Sequence, residues 1–383
     1  MIKNLYTIGI VYFDMIFRLI GGLCLFLYGM KVMSDGIQQA AGDQLQRALN
    51  FMTGNRFIAV ITGFVVTAIV QSSSAVSVML VSFVNAGLLT LTQSIGVIMG
   101  ANIGTTTTGW IVSLIGLQID IASLALPSVG IGFIMRVIKW KHRDWGEAFL
   151  GFGFIFLGLQ FITNSLPQDV VNPDTMEFIG KISHLGWFLS VILSVGIGTG
   201  VTVLVHSSAA TLTLIIALAY RGLIDFDISA AMILGANIGT TIDAVMAAIG
   251  AITAAKRTAL VHILFNVFGS VIALIFFKPL LELVDFIVPG EKTGIGITVH
   301  LAMFHTIFNL LGTAIFLPFV HQFAFLVSFL IKDRDIPEGP KVYKLAYTSG
   351  AFQHAPELNI IRAEKEIRDM AGIASAMYAQ VSN

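Results

Sequence analysis

The sequence predicts an all-α polytopic membrane protein, built as an inverted-topology repeat with two re-entrant helical hairpins and broken transmembrane helices. Three observations carry that expectation. First, the chain is 56% hydrophobic and 11% charged over 383 residues, with a mean hydropathy of +0.87, whereas soluble domains carry roughly 25% charged residues. Second, polar motifs that disfavour a continuous helix interrupt membrane-length apolar runs: Gln71-Ser72-Ser73-Ser74-Ala75 and His206-Ser207-Ser208-Ala209-Ala210. Third, each is followed by a second motif on the same 135-residue register, Gly100-Ala101-Asn102-Ile103-Gly104-Thr105-Thr106 and Gly235-Ala236-Asn237-Ile238-Gly239-Thr240-Thr241. The register also matches Gly63 with Gly198, Thr67 with Thr202, Gly87 with Gly222 and Ser94 with Ser229. A gap-free duplication of this kind points to paired broken helices around a central site.

Composition excludes several classes. Twenty-two basic and twenty-two acidic residues cancel, leaving no bulk charge for nucleic acid. Cys24 stands alone, so neither an intrachain disulfide nor a thiolate metal cluster can form. The first twenty residues contain Asp14 and Arg18 and no clear small-residue cleavage site. They read as a lead-in to the first span, not as a signal peptide.

Apolar segments run at about 17–34, 57–91, 94–116, 121–138, 145–166, 185–224, 229–251, 258–284 and 296–331. A single span needs roughly 20 residues. The segments at 57–91 and 185–224 are too long for one span and too short for two, and each carries its serine motif near the centre. Both are expected to be hairpins that enter and leave on one side, which a membrane tolerates only where the irregular backbone is buried or lines a cavity. Three full crossings (17–34, 94–116, 121–138) then precede Trp145, and an odd number inverts the second half relative to the first. Arg136, Lys139, Lys141 and Arg143 make the link between halves cytoplasmic under the positive-inside rule. Lys256, Arg257 and the tail after Lys332 follow it inside, and the loop at 167–183, with Asp169, Asp174 and Glu177, falls outside. The division expected is 1–144 for the first transmembrane repeat, 145–331 for the second with extra helices, and 332–383 for a cytoplasmic linker and helical tail. In that tail Ile367, Met370, Ile373, Ala374 and Met377 recur at helical spacing.

The motifs suggest their own chemistry. A helix interrupted at Gln71–Ser74 exposes backbone N–H groups and a positive dipole end, and serine hydroxyls add further donors. Donors converging in this way suit an oxyanion such as phosphate. The candidate anion ligands are Gln71, Ser72, Ser73, Ser74, Ser207 and Ser208. No Lys or Arg lies in either motif, so bound cations are the economical source of neutralising charge. The carbonyl of Gln71, Asn102, Thr105, Thr106, Asn237, Thr240 and Thr241 offer hard oxygen ligands for sodium. Asp243 replaces the first repeat's Thr108, and a carboxylate at that depth is a functional candidate by default.

Structural roles compete for some of these residues. Gly96, Gly100 and Gly104, repeated as Ala231, Gly235 and Gly239, have the spacing of close helix packing. His262-x-x-Phe265-Asn266 and His305-x-x-Phe308-Asn309 place His and Asn on one helix face, where hydrogen bonds between helices are the favoured role. The aromatic run at 316–329 reads as lipid-facing, and Lys256–Arg257 as a topology anchor.

The serine motif followed by Gly-Ala-Asn-Ile-Gly-Thr-Thr, twice, resembles the type II sodium-dependent phosphate cotransporters (solute carrier family 34), most closely the bacterial branch, over residues 20 to 330. By that resemblance the two serine motifs form opposed hairpin tips around phosphate, and the Asn and Thr residues above supply sodium and supporting contacts. His206 stands where the animal proteins repeat a Gln, which makes it a sodium-ligand candidate and an altered one. A His-Asp-x-Phe-Asn element of the animal first repeat is replaced here by Leu124-Ala125-Leu126-Pro127-Ser128. The tail is similar to the opening of a PhoU-like domain. The function expected is sodium-coupled phosphate symport by alternating access in the plasma or inner membrane, without enzymatic activity or a cofactor other than sodium as co-substrate. An uncoupled anion facilitator or exporter, or a phosphate-sensing scaffold, stays open. The partners implied are inorganic phosphate, sodium and lipid, with a homo-oligomer and a cytoplasmic partner for the tail left open and no nucleic acid.

Overall fold

The computed structural model describes residues 2–50, 55–116, 121–138, 143–165 and 186–332, and scattered positions between 364 and 375. Lys139 and Lys141 of the basic link, the acidic loop at 167–183, and most of the tail with its amphipathic face lie outside the described residues. Those described form helices in chain order. The first helix, α1, is Ile2–Asn50, followed by α2 (Arg56–Val70) and α3 (Ser73–Asn85). Next come α4 (Leu91–Trp110), prolonged by a π-helical turn at Ile111–Gly116, α5 (Ile121–Val137) and α6 (Arg143–Ser165). The second half continues with α7 (Trp187–Val205), α8 (Ser208–Tyr220), α9 (Phe226–Gly239), α10 (Thr241–Ala247) and α11 (Thr253–Ile275). It closes with α12 (Phe277–Ile287), α13 (Gly294–Phe316) and α14 (Val320–Leu330). Six helices among the described residues are long and apolar enough to cross a membrane.

Small residues set how these helices meet. A Cβ at Gly100 would lie 1.9 Å from the Val60 carbonyl oxygen, and one at Gly63 would lie 2.2 Å from that of Val97. In the second half a Cβ at Gly235 would lie 2.0 Å from the Val195 oxygen, and one at Gly198 would lie 2.1 Å from that of Met232. No larger residue fits these crossings, so the glycines predicted to pack do so.

The pairing also fixes direction. Gly96 faces Ala59, Gly100 faces Val60 and Gly104 faces Thr67, so α4 runs parallel to α2. Two parallel helices joined through α3 require α3 to turn back, which makes α2–α3 a hairpin. In the same way Gly235 meets Thr199 and Gly239 meets Thr202, so α9 runs parallel to α7 and α8 is the returning arm. Helix α13 connects the halves. It runs against α4, with Trp110 Nε1 donating to Thr306 at 2.9 Å and Ser113 bonded to Thr298 at 2.8 Å. It runs with α9, where the Phe226 ring meets His300 and Asn237 meets His305. The two hairpins therefore point in opposite directions.

Their apolar faces belong to two buried clusters. One joins the first hairpin to α4, α11 and α14 through residues such as Val66, Leu80, Ile98, Phe265 and Phe323. The other joins α1, α6, α8, α9 and α13 through Phe26, Leu159, Ile215, Leu234 and Phe304. The hairpin tips lie where the clusters adjoin.

Some expected segments come out differently. The first span is part of a 49-residue helix, with Phe13–Ala41 as its membrane-length portion. The segment at 121–138, expected to be a full crossing, is a 17-residue helix containing Pro127. At 1.5 Å per residue that is about 25 Å, short of the roughly 30 Å apolar core. The segment at 258–284 divides at Phe276, which leaves the helical region of φ,ψ space. The aromatic run at 316–329 is only half lipid-facing. Phe325 and Phe329 are exposed, but Phe316 at the end of α13 is buried, and so are Val320, Phe323 and Val327, because that face of α14 packs on α11 and α4.

Candidate functional site

Each hairpin tip is made by the same local device. The chain leaves α2 at Gln71 and α7 at His206, the two described non-glycine residues with positive φ, at 57° and 56°. A left-handed turn costs roughly 1–2 kcal/mol for an L-residue with a side chain, so neighbouring contacts must hold it. The next residue is extended and caps the returning helix: Ser72 Oγ accepts from the Ala75 amide and Ser207 Oγ from the Ala210 amide, both at 3.2 Å. Serine favours this position because its short side chain reaches back to the N3 amide. The first helical backbone bonds of α3 and α8 run from Val76 to Ser72 and from Thr211 to Ser207. The amides of Ser73, Ser74, Ser208 and Ala209 precede those bonds, which leaves them as the free donors of two helix N-termini.

The two N-termini face one cleft lined by Met30, Gln71, Ser72, Ser73, Ser74, Thr105, His206, Ser207, Ser208 and Ala209. Its cavity volume is ≈ 30 Å³, against roughly 10–15 Å³ for one water, a scale that suits a small polyatomic ion. None of the lining residues is Lys or Arg. The cleft presents chiefly amides, hydroxyls and the positive ends of two helix dipoles.

The residues in the left-handed turns are braced by side-chain contacts. Gln71 Nε2 donates to Thr107 Oγ1 at 2.9 Å, and its Oε1 accepts from Thr108 Oγ1 at 3.0 Å. At the other tip His206 Nδ1 lies 2.8 Å from Asp243 Oδ1. The remaining oxygen of Asp243 accepts a hydrogen bond from Ser74 Oγ of the first hairpin. That bond joins the two halves directly at the cleft.

All six candidate anion ligands line this cleft, and so do Thr105 and His206 among the candidate sodium ligands. Asp243 reaches it through Ser74 and His206. Asn102, Thr106, Asn237, Thr240 and Thr241 do not line it. Asn102 and Thr106 turn back to the carbonyls of Ile98 and Ile103, and Thr241 to that of Ile238. Asn237 is held between His305 Nε2 at 3.1 Å and Asn309 Oδ1 at 3.2 Å, the interhelical role expected of the second His/Asn pair. Thr240 Oγ1 is buried with no partner among the described residues. Sequence reading missed Met30, which carries no motif, and Thr107, whose place in the Thr105–Thr108 run was the available signal. It also missed the Ser74–Asp243 contact, since nothing in a sequence pairs positions 169 residues apart.

The opposed hairpin tips of this multi-pass helical membrane protein thus enclose a cleft on the scale of a small ion. The Na+/Pi-cotransporter family model matches residues 25–164 and 185–329, and the chain belongs to that family of phosphate transporters. Its relatives include the "Uncharacterized protein YqeW" of Bacillus subtilis, 30% identical over 66% of this chain and 79% of that protein. The "Putative inorganic phosphate export protein YjbB" of Salmonella typhimurium is 28% identical over 70% of this chain and 48% of its own length. The "Sodium-dependent phosphate transport protein 2A" of Rattus norvegicus is 39% identical over 25% of this chain and 15% of that protein. The chain thus spans about half the length of the YjbB protein it matches. No solved structure matches the chain at a significant level.

Proposed function

We propose that this protein is a sodium-coupled inorganic phosphate symporter, importing phosphate by alternating access at the cleft between the hairpin tips. The observation that carries the reading is the convergence of two serine-capped helix N-termini on one cleft whose lining includes no Lys or Arg. Converging amides and hydroxyls bind an oxyanion, and co-bound cations supply the charge that side chains do not. Gln71, Ser72, Ser73, Ser74, Ser207 and Ser208 hold phosphate. Sodium is taken by neutral oxygens drawn from Gln71, Asn102, Thr105, Thr106, Asn237, Thr240 and Thr241, with His206 and Asp243 as the altered pair of the second half.

The hairpins enter from opposite faces of the membrane, so the repeat is inverted. Antiparallel hairpins support this, as does the grouping of helix ends. On the proposed cytoplasmic side, Arg56 donates to the Pro318 carbonyl, the Ile252 amide to Asn85, and Arg257 to the Ile331 carbonyl. On the opposite side, Arg221 donates to the Thr163 carbonyl and Trp187 to Asp227. Residues 1–144 and 145–331 act as the two transmembrane repeats, with 332–383 cytoplasmic.

A second reading, export or facilitated flow without sodium, is favoured by the longer match to a protein named for phosphate export than to one named for sodium dependence. Radiolabelled phosphate uptake into proteoliposomes under sodium, lithium or proton gradients separates them. Uptake that follows the sodium gradient supports symport. Counterflow of equal rate with and without sodium overturns it in favour of the facilitator, and phosphate binding with no transport leaves a sensing scaffold.

A further inference from the structure

The serine hydroxyls and first helical amides at the cleft can donate. Ser72 and Ser207 accept the capping amides through their oxygens, so their hydroxyl hydrogens are free to point outward. Ser73, Ser208 and the first amides of both helices are donors as well. Ser74 differs. Its Oγ donates its hydrogen to Asp243, because a carboxylate can only accept. What Ser74 turns to the cleft is therefore a lone pair. Its counterpart in the second half is Ala209, so among the serine-motif positions this acceptor stands on one side only; Thr105 Oγ1, which gives its hydrogen to the Ala101 carbonyl, lies on the same half. The arrangement is braced from behind: the other carboxylate oxygen, Oδ1, lies against His206 Nδ1 at 2.8 Å, and the Asp243 side chain is 13% exposed.

We propose that Asp243 is a specificity-determining positioning residue: by fixing Ser74 Oγ as an acceptor, it makes the cleft select oxyanions that carry a hydroxyl hydrogen. Phosphate and arsenate at neutral pH keep at least one such hydrogen and can donate it to Ser74. Sulfate has none, so it would set one of its oxygens against the serine lone pair. A site whose acceptor has no donor to meet rejects the analogue that lacks the hydrogen.

The inference rests on the cleft being the phosphate site, and the test separates the two claims. Purified full-length protein is assayed for binding of radiolabelled phosphate, with displacement by arsenate and by sulfate. Wild type is expected to bind phosphate, release it to arsenate and hold it against sulfate. In Asp243→Asn the amide oxygen still accepts from His206, which turns the amide nitrogen toward Ser74. The serine then accepts from that nitrogen and swings its hydrogen into the cleft. Ser74→Ala removes the Asp243-oriented acceptor. In both variants the ratio of sulfate to phosphate affinity should rise by about tenfold, the scale of one unfavourable contact relieved. Ser73→Ala, which removes a donor, should weaken both anions and leave the ratio in place. General damage to the fold would not move that ratio. Sulfate displacing phosphate from wild type as readily as arsenate does, or a ratio unchanged in both variants that still bind phosphate, overturns the role of Asp243 alone. Wild type that binds no phosphate overturns the phosphate site as well.

Discussion

The two hairpin tips share a backbone and differ in chemistry. At the first, Gln71 in its left-handed turn bonds to Thr108; at the second, His206 in the same turn bonds to Asp243, and both pairs are separated by 37 residues. The backbone requires a side chain that reaches from the turn to the adjacent helix, and both an amide and an imidazole satisfy that. Nothing in the geometry requires neutrality, so one tip is braced by amide and hydroxyl groups while the other holds an ionisable pair. A second difference follows the first. Helix α4 runs unbroken through Thr105 and Thr106 to Trp110, whereas the matching helix of the second half stops at Gly239 and restarts at Thr241. Asp243 lies in the first turn of the restarted helix α10, which brings its carboxylate to Ser74 across the repeat boundary. Shape is duplicated in this molecule, and selectivity is free to be asymmetric.

The shared part is the easiest to break. Gly100→Ala and Gly235→Ala each force a Cβ to about 2 Å from a backbone oxygen, and backbone cannot give way as a flexible side chain would. Each should cost 3 kcal/mol or more, on the order of the upper end of overpacking penalties, and abolish the folded species in detergent gel filtration. Gly200→Ala, two residues from the equally tight Gly198, meets nothing within 4 Å and should behave as wild type. A soluble, monodisperse Gly100→Ala protein would contradict the parallel contact of α2 and α4.

The proposed anion donors come next. Ser73→Ala and Ser208→Ala each remove one hydroxyl from matched positions at the two tips, and a hydrogen bond to a charged ligand is worth about 1.5–3 kcal/mol. Phosphate affinity should fall by roughly tenfold or more in each. Equal losses would mean that the tips contribute equally. Affinity unchanged in both, at normal expression, would remove these serines from the site.

The divergent braces can be exchanged. His206→Gln and Asp243→Thr together rebuild the first tip's pair at the second. Each single change sets one member of a native pair against a partner of different length and geometry, so the double variant should be more stable than the two single losses predict, by about 0.5–3 kcal/mol of coupling. Thermal unfolding of the four proteins measures it, and strict additivity would show that the His206–Asp243 contact does not brace the turn.

The smallest effect distinguishes two buried threonines. Thr202 Oγ1 donates to Thr211 at 2.9 Å, but the counterpart of Thr211 is Val76, and Thr67 Oγ1 is buried with no partner among the described residues. Thr202→Val should therefore cost about 1 kcal/mol, and Thr67→Val should be neutral or slightly stabilising, as expected when an unsatisfied hydroxyl is removed. A clear loss for Thr67→Val in the same thermal assay would reveal a partner for that hydroxyl.

Much of this was determined by the sequence alone. Apolar runs of membrane length, two serine motifs near the centres of runs too long for one helix, and glycines spaced by four are local patterns. Local patterns fix helices, breaks and close crossings wherever they occur in a chain. The duplication at 135 residues added a global constraint, since two like segments can enclose a common site, and all six residues named for the anion do line one cleft. The tertiary structure decided what depends on distant neighbours. It placed Met30 in the cleft, turned Asn102 and Thr106 away from it, and buried one face of the aromatic run after Phe316. It also turned Asp243, legible only as a costly carboxylate, into the partner of both Ser74 and His206. A sequence records which groups can donate or accept, but the direction of each hydrogen bond is chosen only when folding brings its partner within about 3 Å.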